Sequence, residues 1–216
     1  MQVSRTVIIS CAGMGNRLGL GTTKALVEVE GKPLIMHHLE KLKDESDIRV
    51  VVGYQAEKVI NVVRKYRKDV VFVFNHNYRE TGTGASVALA SQYANEYILS
   101  LDGDLIIHPD DMKKILECDH EFVSGGIPDT DEPWMLQTYK DDGKEFVSAF
   151  SKNIGNYEWN AITQMKSAKI KNGQGHVFQL IEPYLPIPFL ELRTREIDTV
   201  NDYERAVEWV RNNFRE

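Results

Sequence analysis

The stretch VIISCAGMGNRLGLGTTKAL, residues 7–26, decides the fold. It opens with an apolar run that is typical of a strand buried on both faces of a parallel sheet. Four glycines follow within residues 13–21, and Arg17 and Lys24 lie beside them. Ligands of parallel sheets bind beyond the carboxyl ends of the strands. We therefore expect a central strand that leads into a ligand-binding loop, here called the glycine loop (residues 12–24).

The composition is that of an ordinary globular protein. The 216 residues are 42% hydrophobic and 27% charged, with a formal net charge of −6. No long basic run offsets that charge, which argues against a nucleic-acid binder. Cys11 and Cys118 have neither metal-type nor redox spacing, and no apolar run approaches the roughly 18 residues that span a bilayer. We expect a cytoplasmic protein with no nucleic-acid partner and no membrane insertion.

Strands and helices alternate along the first half of the chain. Further strands are predicted at 48–54, 70–74 and 97–104, and helices at 34–42, 56–66, 84–94 and 109–116. Shorter strands follow at 121–127, 134–150 and 160–166, with a hairpin turn at 141–143, then a helix near 174–183, a strand at 189–193 and a helix at 201–214. This pattern predicts an α/β fold with a mostly parallel mixed sheet flanked by helices, in one domain over residues 1–216.

The glycine loop has three interpretations. A tight turn between core elements is the simplest, because glycine adopts positive φ without cost. A dinucleotide-binding fingerprint fits Gly13 and Gly15 but fails at Leu18, and a Walker loop fails because Lys24 does not directly follow the last glycine. In the third, backbone N–H groups and two cations, Arg17 and Lys24, hold a triphosphate.

A resemblance favours the third interpretation. The segments AGMGNRLG (12–19) and TKALVEVEGKPLI (23–35) resemble the signature of nucleotidyltransferases that activate sugar phosphates and phosphoalcohols. It implies a Rossmann-like, GT-A-type fold in which residues 1–116 bind the nucleotide and residues 117–216 bind the acceptor. It also implies catalytic roles for Arg17 and Lys24. The loop residues that it places against the nucleotide are Ala12, Gly13, Met14, Gly15 and Asn16. Thr23 departs from the signature, which has proline there.

Two acidic segments are candidates for a metal site. Asp102 and Asp104, in LSLDGDLII, follow an apolar strand and share a face if the strand continues; a solvated Asp-Gly turn is the alternative. Asp198, in REIDT, follows a second strand-like run. A helix entry capped at Thr199 or Asn201 is the alternative, which explains Thr199 and Asp202 but explains Asp198 less well. The resemblance implies that Asp104 and Asp198 bind Mg²⁺ and that Asp102 lies beside the nucleotide.

The nucleobase and the acceptor each have candidate residues. Gly82, Thr83 and Gly84 precede an Ala-rich helix, where a plain helix cap is the alternative. Similar segments in uridylyl- and cytidylyltransferases contact a pyrimidine edge. The region around residues 131–162 resembles that of LicC-like phosphocholine cytidylyltransferases, which implies acceptor contacts from Trp134, Lys152 and Glu158. Trp134 can attract a quaternary ammonium, or it can be a core residue. The six histidines show no ligand spacing.

The leading hypothesis is a magnesium-dependent cytidylyltransferase. It would transfer CMP from CTP to a small phosphorylated alcohol, amine or phosphonate and release pyrophosphate. A uridylyltransferase acting on a sugar 1-phosphate is the alternative enzyme, and a non-catalytic nucleotide-binding regulatory module is the alternative of another class. A glycosyltransferase would not need the two loop cations. A nicotinamide oxidoreductase would need the third glycine of the dinucleotide-binding fingerprint, and this sequence has Leu18 there. The sequence leaves both a monomer and a homodimer open.

Overall fold

A computed structural model describes residues 3–15, 18–19, 21–170 and 173–214. The helices are α1 (Leu34–Lys41), α2 (Ala56–Tyr66), α3 (Thr83–Ala90), α4 (Pro109–Glu117), α5 (Val177–Ile181) and α6 (Val200–Asn213). The first strands are β1 (Arg5–Cys11), β2 (Glu28–Val29), β3 (Lys32–Pro33), β4 (Ile48–Val52), β5 (Val71–Phe74), β6 (Tyr97–Asp102) and β7 (Leu105–Ile107). The remaining strands are β8 (Phe122–Gly126), β9 (Met135–Asp141), β10 (Lys144–Ser151), β11 (Tyr157–Lys166), β12 (Ile187–Glu191) and β13 (Thr194–Glu196).

Nine strands form one mixed sheet in the order β5-β4-β1-β6-β11-β8-β12-β10-β9. The four strands β5, β4, β1 and β6 run parallel to one another, and β11 pairs antiparallel with both β6 and β8. Two small antiparallel pairs, β2–β3 and β7–β13, lie outside this sheet. The predicted α/β class and mixed sheet are confirmed. No helix in the described part of the chain has the length and apolarity to cross a bilayer.

Strand β1 is buried on both faces, as its apolar run predicts. Val7 and Ile9 pack into a cluster with side chains of α1 and α2, whereas Ile8 packs into the opposite cluster with side chains of α3 and α5. All three are fully buried. Because burying a side chain of this size contributes roughly 1.5–3 kcal/mol, both layers of helices are held to this strand.

The β9–β10 hairpin has the turn that its sequence specifies. Asp142 and Gly143 adopt φ of 46° and 73°. Positive φ at both central residues is the geometry of the turn whose twist matches the flanking strands, and Asp-Gly favours it. The predicted hairpin at 141–143 is confirmed.

The second half differs from prediction at two places. The helix predicted near 174–183 is shorter, because α5 ends at Ile181 and a 3-10 turn, Glu182–Tyr184, leads into Pro186. The strand-like run expected before Asp198 is divided in two, because β12 ends at Glu191 and Thr194–Glu196 forms the separate short strand β13. Strand β13 pairs antiparallel with β7, with Glu196 opposite Leu105. This pairing carries the segment before α6 to the end of β6.

Candidate active site

A cavity of about 500 Å³ opens at the carboxyl ends of β1 and β6. The two strands are adjacent and parallel, with Ser10 opposite Asp102. The glycine loop leaves β1 at this edge and contributes Ala12, Gly13 and Lys24 to the lining. The site therefore lies where parallel α/β sheets bind ligands.

Strand β6 ends in a tight turn that aims its acids at the cavity. The strand stops at Asp102, so Asp104 lies in the turn to β7 rather than on a continuing strand. Gly103 N–H donates to the Ser10 carbonyl at 2.9 Å, and a Cβ on Gly103 would lie 2.5 Å from Cys11 Sγ. Glycine is required here because the turn presses against β1. Asp102 and Asp104 both line the cavity.

Three carboxylates converge beside this turn. One oxygen from each of Asp104, Glu196 and Asp198 lies within 4.8 Å of the others. The β7–β13 pairing and a hydrogen bond from Ile197 N–H to the Asp104 carbonyl, 3.2 Å, bring the distant segment here. We call these three residues the acid cluster.

The helix-entry interpretation of residues 198–202 also describes a real feature. Thr199 Oγ1 accepts from Asp202 N–H at 3.2 Å, and Asp202 Oδ2 accepts from Thr199 N–H at 2.7 Å. These bonds cap α6. The cap uses Thr199 and Asp202, whereas the carboxylate of Asp198 faces the acid cluster.

Lys24 joins the glycine loop to the acid cluster. Its Nζ donates to Asp104 Oδ2 at 2.7 Å and to Asp198 Oδ1. Burial disfavours the ammonium, but the two carboxylates outweigh that penalty and raise the pKa of Lys24 above its usual value. A cation therefore already sits between the two acids predicted to bind metal.

The single positive charge of Lys24 does not balance the negative charge of the carboxylates around it. Burial, together with the Asp104 carboxylate, raises the pKa of Asp102 to about 8. Burial and the carboxylates of Asp104 and Asp198 also hold the pKa of Glu196 well above its usual range. Asp102 Oδ1 is buried with no hydrogen-bond partner among the described residues. These hard oxygen donors and their excess negative charge suit a divalent cation such as Mg²⁺.

Within the glycine loop, Gly15 packs against Lys24. Gly15 has a φ of 64°, and a Cβ there would lie 2.8 Å from Lys24 Cγ, so both the backbone and the contact favour glycine. Ala12, Gly13 and Gly15 line the cavity. Met14 is half-buried and is not among the lining residues. Asn16 and Arg17 lie outside the described residues, so their predicted roles remain predictions.

Thr23 occupies a backbone conformation that suits the proline of the signature. Its φ is −65° and its ψ is 140°. Proline fixes φ near −65°, and Thr23 N–H makes no backbone hydrogen bond within the described part of the chain. Thr23→Pro is therefore expected to raise the free energy of unfolding by about 0.4–1 kcal/mol, measured by denaturant titration. Thr23→Ala, which removes the hydroxyl without fixing φ, is the control. A less stable proline variant would contradict this expectation.

The Gly82–Gly84 turn is closed by a second segment. Gly82 N–H donates to the Gln174 carbonyl at 2.8 Å, and Gly84 N–H donates to the Gly175 carbonyl at 2.9 Å. A Cβ on Gly82 would lie 2.4 Å from the Gly175 oxygen. These glycines are needed for close approach, and their N–H groups are not available to a base. Thr83 is the residue of this turn that lines the cavity, and the predicted contact of the turn with a base remains a prediction.

The predicted acceptor residues Trp134, Lys152 and Glu158 all line the cavity, and the part around Trp134 and Lys152 is here called the acceptor end. Lys152 Nζ sits 4.4 Å from the ring centroid of Trp134, and that ring lies 4.4 Å from the Phe178 centroid. Glu158 accepts at Oε2 from the backbone N–H of Asp129, 2.6 Å, and at Oε1 from the Thr130 hydroxyl. Glu158 thus holds the 129–130 loop as well as lining the cavity. Its predicted contact with the acceptor remains a prediction.

Several lining residues were not predicted. Glu196 is the clearest, and its signal was present, because residues 196 and 198 are two apart and an extended chain places them on one face. His176 lines the cavity and stacks on Phe178 at 5.9 Å, although no histidine was proposed for the site. A single histidine without ligand spacing carries no such signal. Glu132 also lines the cavity.

Known proteins resemble this chain in sequence and in structure. The bifunctional protein GlmU of Methanocaldococcus jannaschii is 33% identical over 114 residues, which cover 51% of this chain and 27% of that protein. The choline-phosphate cytidylyltransferase of Streptococcus pneumoniae is 38% identical over 104 residues, 45% of this chain and 44% of that protein. The matched parts span less than half of these relatives.

A solved structure agrees over nearly the whole fold. The CTP:phosphocholine cytidylyltransferase LicC from Streptococcus pneumoniae superimposes with a TM-score of 0.74 at 24% identity. The match covers 97% of this chain and 100% of that one. At this identity the likeness concerns the fold, which is the nucleotidyltransferase fold predicted from the glycine loop.

The sequence also matches a family model directly. Residues 7–141 match the MobA-like NTP transferase domain. The matched range begins in β1 and includes the glycine loop, Lys24 and the Asp102–Asp104 turn, which are the features that build one side of the cavity. The chain belongs to the MobA-like NTP transferase domain family.

Proposed function

We propose that this protein is a magnesium-dependent nucleotidyltransferase. The observation that carries the proposal is the meeting of the glycine loop with the acid cluster through Lys24, whose Nζ lies 2.7 Å from Asp104. A triphosphate needs donors and positive charge, and a metal needs hard oxygen ligands. Lys24 offers the positive charge and the acid cluster offers the oxygen ligands, and these residues line the cavity at the carboxyl ends of β1 and β6. Asp104, Glu196 and Asp198 would hold the metal.

The reaction requires positioning and charge neutralisation. An oxygen of the acceptor phosphate attacks the α-phosphorus, a new P–O bond forms, and the bond between the α-phosphorus and the bridging oxygen to the β-phosphorus breaks. Pyrophosphate leaves with that electron pair. The acceptor oxygen is already anionic near neutral pH, so no general base is needed. Bound Mg²⁺ supplies Lewis-acid charge stabilisation. Lys24 neutralises the repulsion between the two anions, and the glycine loop orients the triphosphate.

We further propose CTP as the donor and a phosphocholine-like molecule as the acceptor. Support comes from the choline-phosphate cytidylyltransferase relative and from the chemistry of the acceptor end. The Trp134 ring already attracts a cation, the Lys152 ammonium 4.4 Å from its centroid. A quaternary ammonium would take that position, and the displaced Lys152 would offer its charge to the phosphate. Glu132, which lines the same cavity, adds a negative charge for the cationic group. Uridylyl transfer to a sugar 1-phosphate is the second candidate, which the similarity to GlmU leaves open.

A matrix of pyrophosphate-release assays tests these proposals. Four nucleoside triphosphates are crossed with phosphocholine, aminoethylphosphonate, inositol phosphate, glycerol phosphate and hexose phosphates, with and without Mg²⁺. The proposal predicts turnover with CTP and a small phosphorylated alcohol or amine. Turnover only with UTP and a sugar phosphate would contradict CTP and phosphocholine as the substrates and would support the second candidate, uridylyl transfer. Triphosphate binding without pyrophosphate release under any condition would contradict the proposed enzyme and would support a nucleotide-binding regulatory module.

Lys152 is expected to determine acceptor affinity. Its exposed ammonium lines the acceptor end, and a hydrogen bond to a charged group contributes about 1.5–3 kcal/mol. Lys152→Met should therefore raise the KM for the phosphorylated acceptor by at least about tenfold and leave the KM for the triphosphate unchanged. Lys144→Met, at the exposed far end of β10, is the matched control. Equal changes in both KM values would remove Lys152 from the acceptor site.

A further inference from the structure

The turn between β4 and α2 contacts both ends of the glycine loop. At the start of the loop, Tyr54 N–H donates to the Ala12 carbonyl at 3.0 Å. At the other end, Gln55 Nε2 donates to the Gly21 carbonyl at 2.8 Å, and the Thr22 hydroxyl donates to Gln55 Oε1 at 3.3 Å. The Gln55 amide thus uses its donor and its acceptor on adjacent loop residues.

This turn is held in an unfavourable backbone conformation. Gln55 has a φ of 51° and a ψ of 36°, the left-handed region that disfavours side chains other than glycine and asparagine. Gly53 is pressed against the loop, since a Cβ there would lie 2.9 Å from the Ala12 oxygen. Strain of this kind persists where the surrounding structure requires it and is common at binding sites. Gln55→Gly would relieve the strain, but it would release residues 21 and 22.

We propose that Gln55 is a positioning residue that holds Gly21 and Thr22, at the end of the glycine loop, in their triphosphate-binding arrangement. The inference rests on the proposed function, because the ligand that benefits is a nucleoside triphosphate. A loop that is ordered before binding does not lose that conformational entropy on binding, so pre-organisation appears as affinity. The two hydrogen bonds from the Gln55 amide to Gly21 and Thr22 are here called the latch. The loop has the same arrangement with bound triphosphate whether or not the latch is present. The effect therefore falls on KM for the triphosphate, whereas kcat stays close to the wild-type value.

Gln55→Gly separates this role from a structural one. It removes the amide latch and also relieves the left-handed backbone. The structure offers a matched control in Tyr93, which has a φ of 55°, a side chain that is 99% exposed and no contact with the described residues of the loop. Both glycine variants relieve the same backbone conformation. Only the variant at position 55 frees Gly21 and Thr22.

The experiment measures pyrophosphate release and amide hydrogen exchange in the wild type and both variants. Gln55→Gly should raise the KM for CTP about tenfold with kcat within about threefold, because the loop loses its two hydrogen bonds to the Gln55 amide. Exchange in the peptide covering residues 12–26 should become faster without ligand. Tyr93→Gly should change neither quantity.

Each outcome supports or overturns a defined claim. An unchanged KM and unchanged exchange in Gln55→Gly, with an active wild type, would overturn the latch alone. Equal rises in KM for both glycine variants would also overturn it, because the loop contact would then be irrelevant. A wild type that neither binds nor turns over any triphosphate would overturn the proposed function, and the latch with it.

Discussion

Asp198→Asn is expected to lower kcat/KM for pyrophosphate release on the order of a thousandfold. Asp198 meets Asp104 and Glu196 within 4.8 Å, and an amide is a much poorer ligand for Mg²⁺ than a carboxylate. The loss should therefore fall on the metal-dependent step. It is measured as the steady-state rate over a titration of Mg²⁺.

A second readout distinguishes a lost metal site from a damaged fold. Mn²⁺ binding, followed by electron paramagnetic resonance, should weaken in Asp198→Asn, whereas circular dichroism should stay unchanged, since removing one carboxylate relieves repulsion in the acid cluster. Asp142→Asn is the matched control, because Asp142 lies in the exposed β9–β10 turn. Wild-type Mn²⁺ affinity in Asp198→Asn would show that this residue does not hold the metal.

Lys24→Met is expected to lower turnover by at least roughly a hundredfold. Its ammonium is the described cation that reaches the acid cluster, and preorganised charge of this kind contributes about 2.7–4 kcal/mol to the transition state. The variant should remain folded. Lys43→Met, in the exposed turn after α1, should retain full activity. Full activity in Lys24→Met would contradict the assignment of the loop.

Lys24→Met also predicts a change that does not depend on turnover. In the wild type the ammonium occupies the space between Asp104 and Asp198, with a side chain that is only 15% exposed, so an incoming metal must compete with it. Without nucleotide, Lys24→Met should therefore bind Mn²⁺ more tightly than the wild type. Addition of the metal should also raise the melting temperature of the variant more. Weaker Mn²⁺ binding in the variant would mean that Lys24 assists the metal instead of replacing it.

Sequence reasoning predicted the half of the site that depends on local patterns. The run before the glycine loop has the composition of a doubly buried strand, and Ile8 faces one cluster while Val7 and Ile9 face the other. The acids at 102 and 104 follow an apolar strand, which is a signal within one short segment. The family resemblance then supplied the link from this segment to Asp198.

The residues that were not predicted depend on contacts between distant segments. Glu196 enters the acid cluster because the short strand β13 pairs with β7. Its two-residue spacing from Asp198 indicates a shared face, but it does not indicate which distant segment that face meets. The N–H groups of Gly82 and Gly84 are occupied because residues 174–175 lie against them. Their glycine pattern indicates close approach, but it does not say whether a ligand or another part of the chain approaches.

The most direct measurement follows the α-phosphorus of the donor. The protein is incubated with Mg²⁺, a phosphorylated acceptor and CTP labelled at the α-phosphate, and the products are separated. Attack at the α-phosphorus predicts that the label appears in a CDP-linked product while the released pyrophosphate is unlabelled. Label that remains in CTP, or that appears only as free CMP, would contradict nucleotidyl transfer by this site.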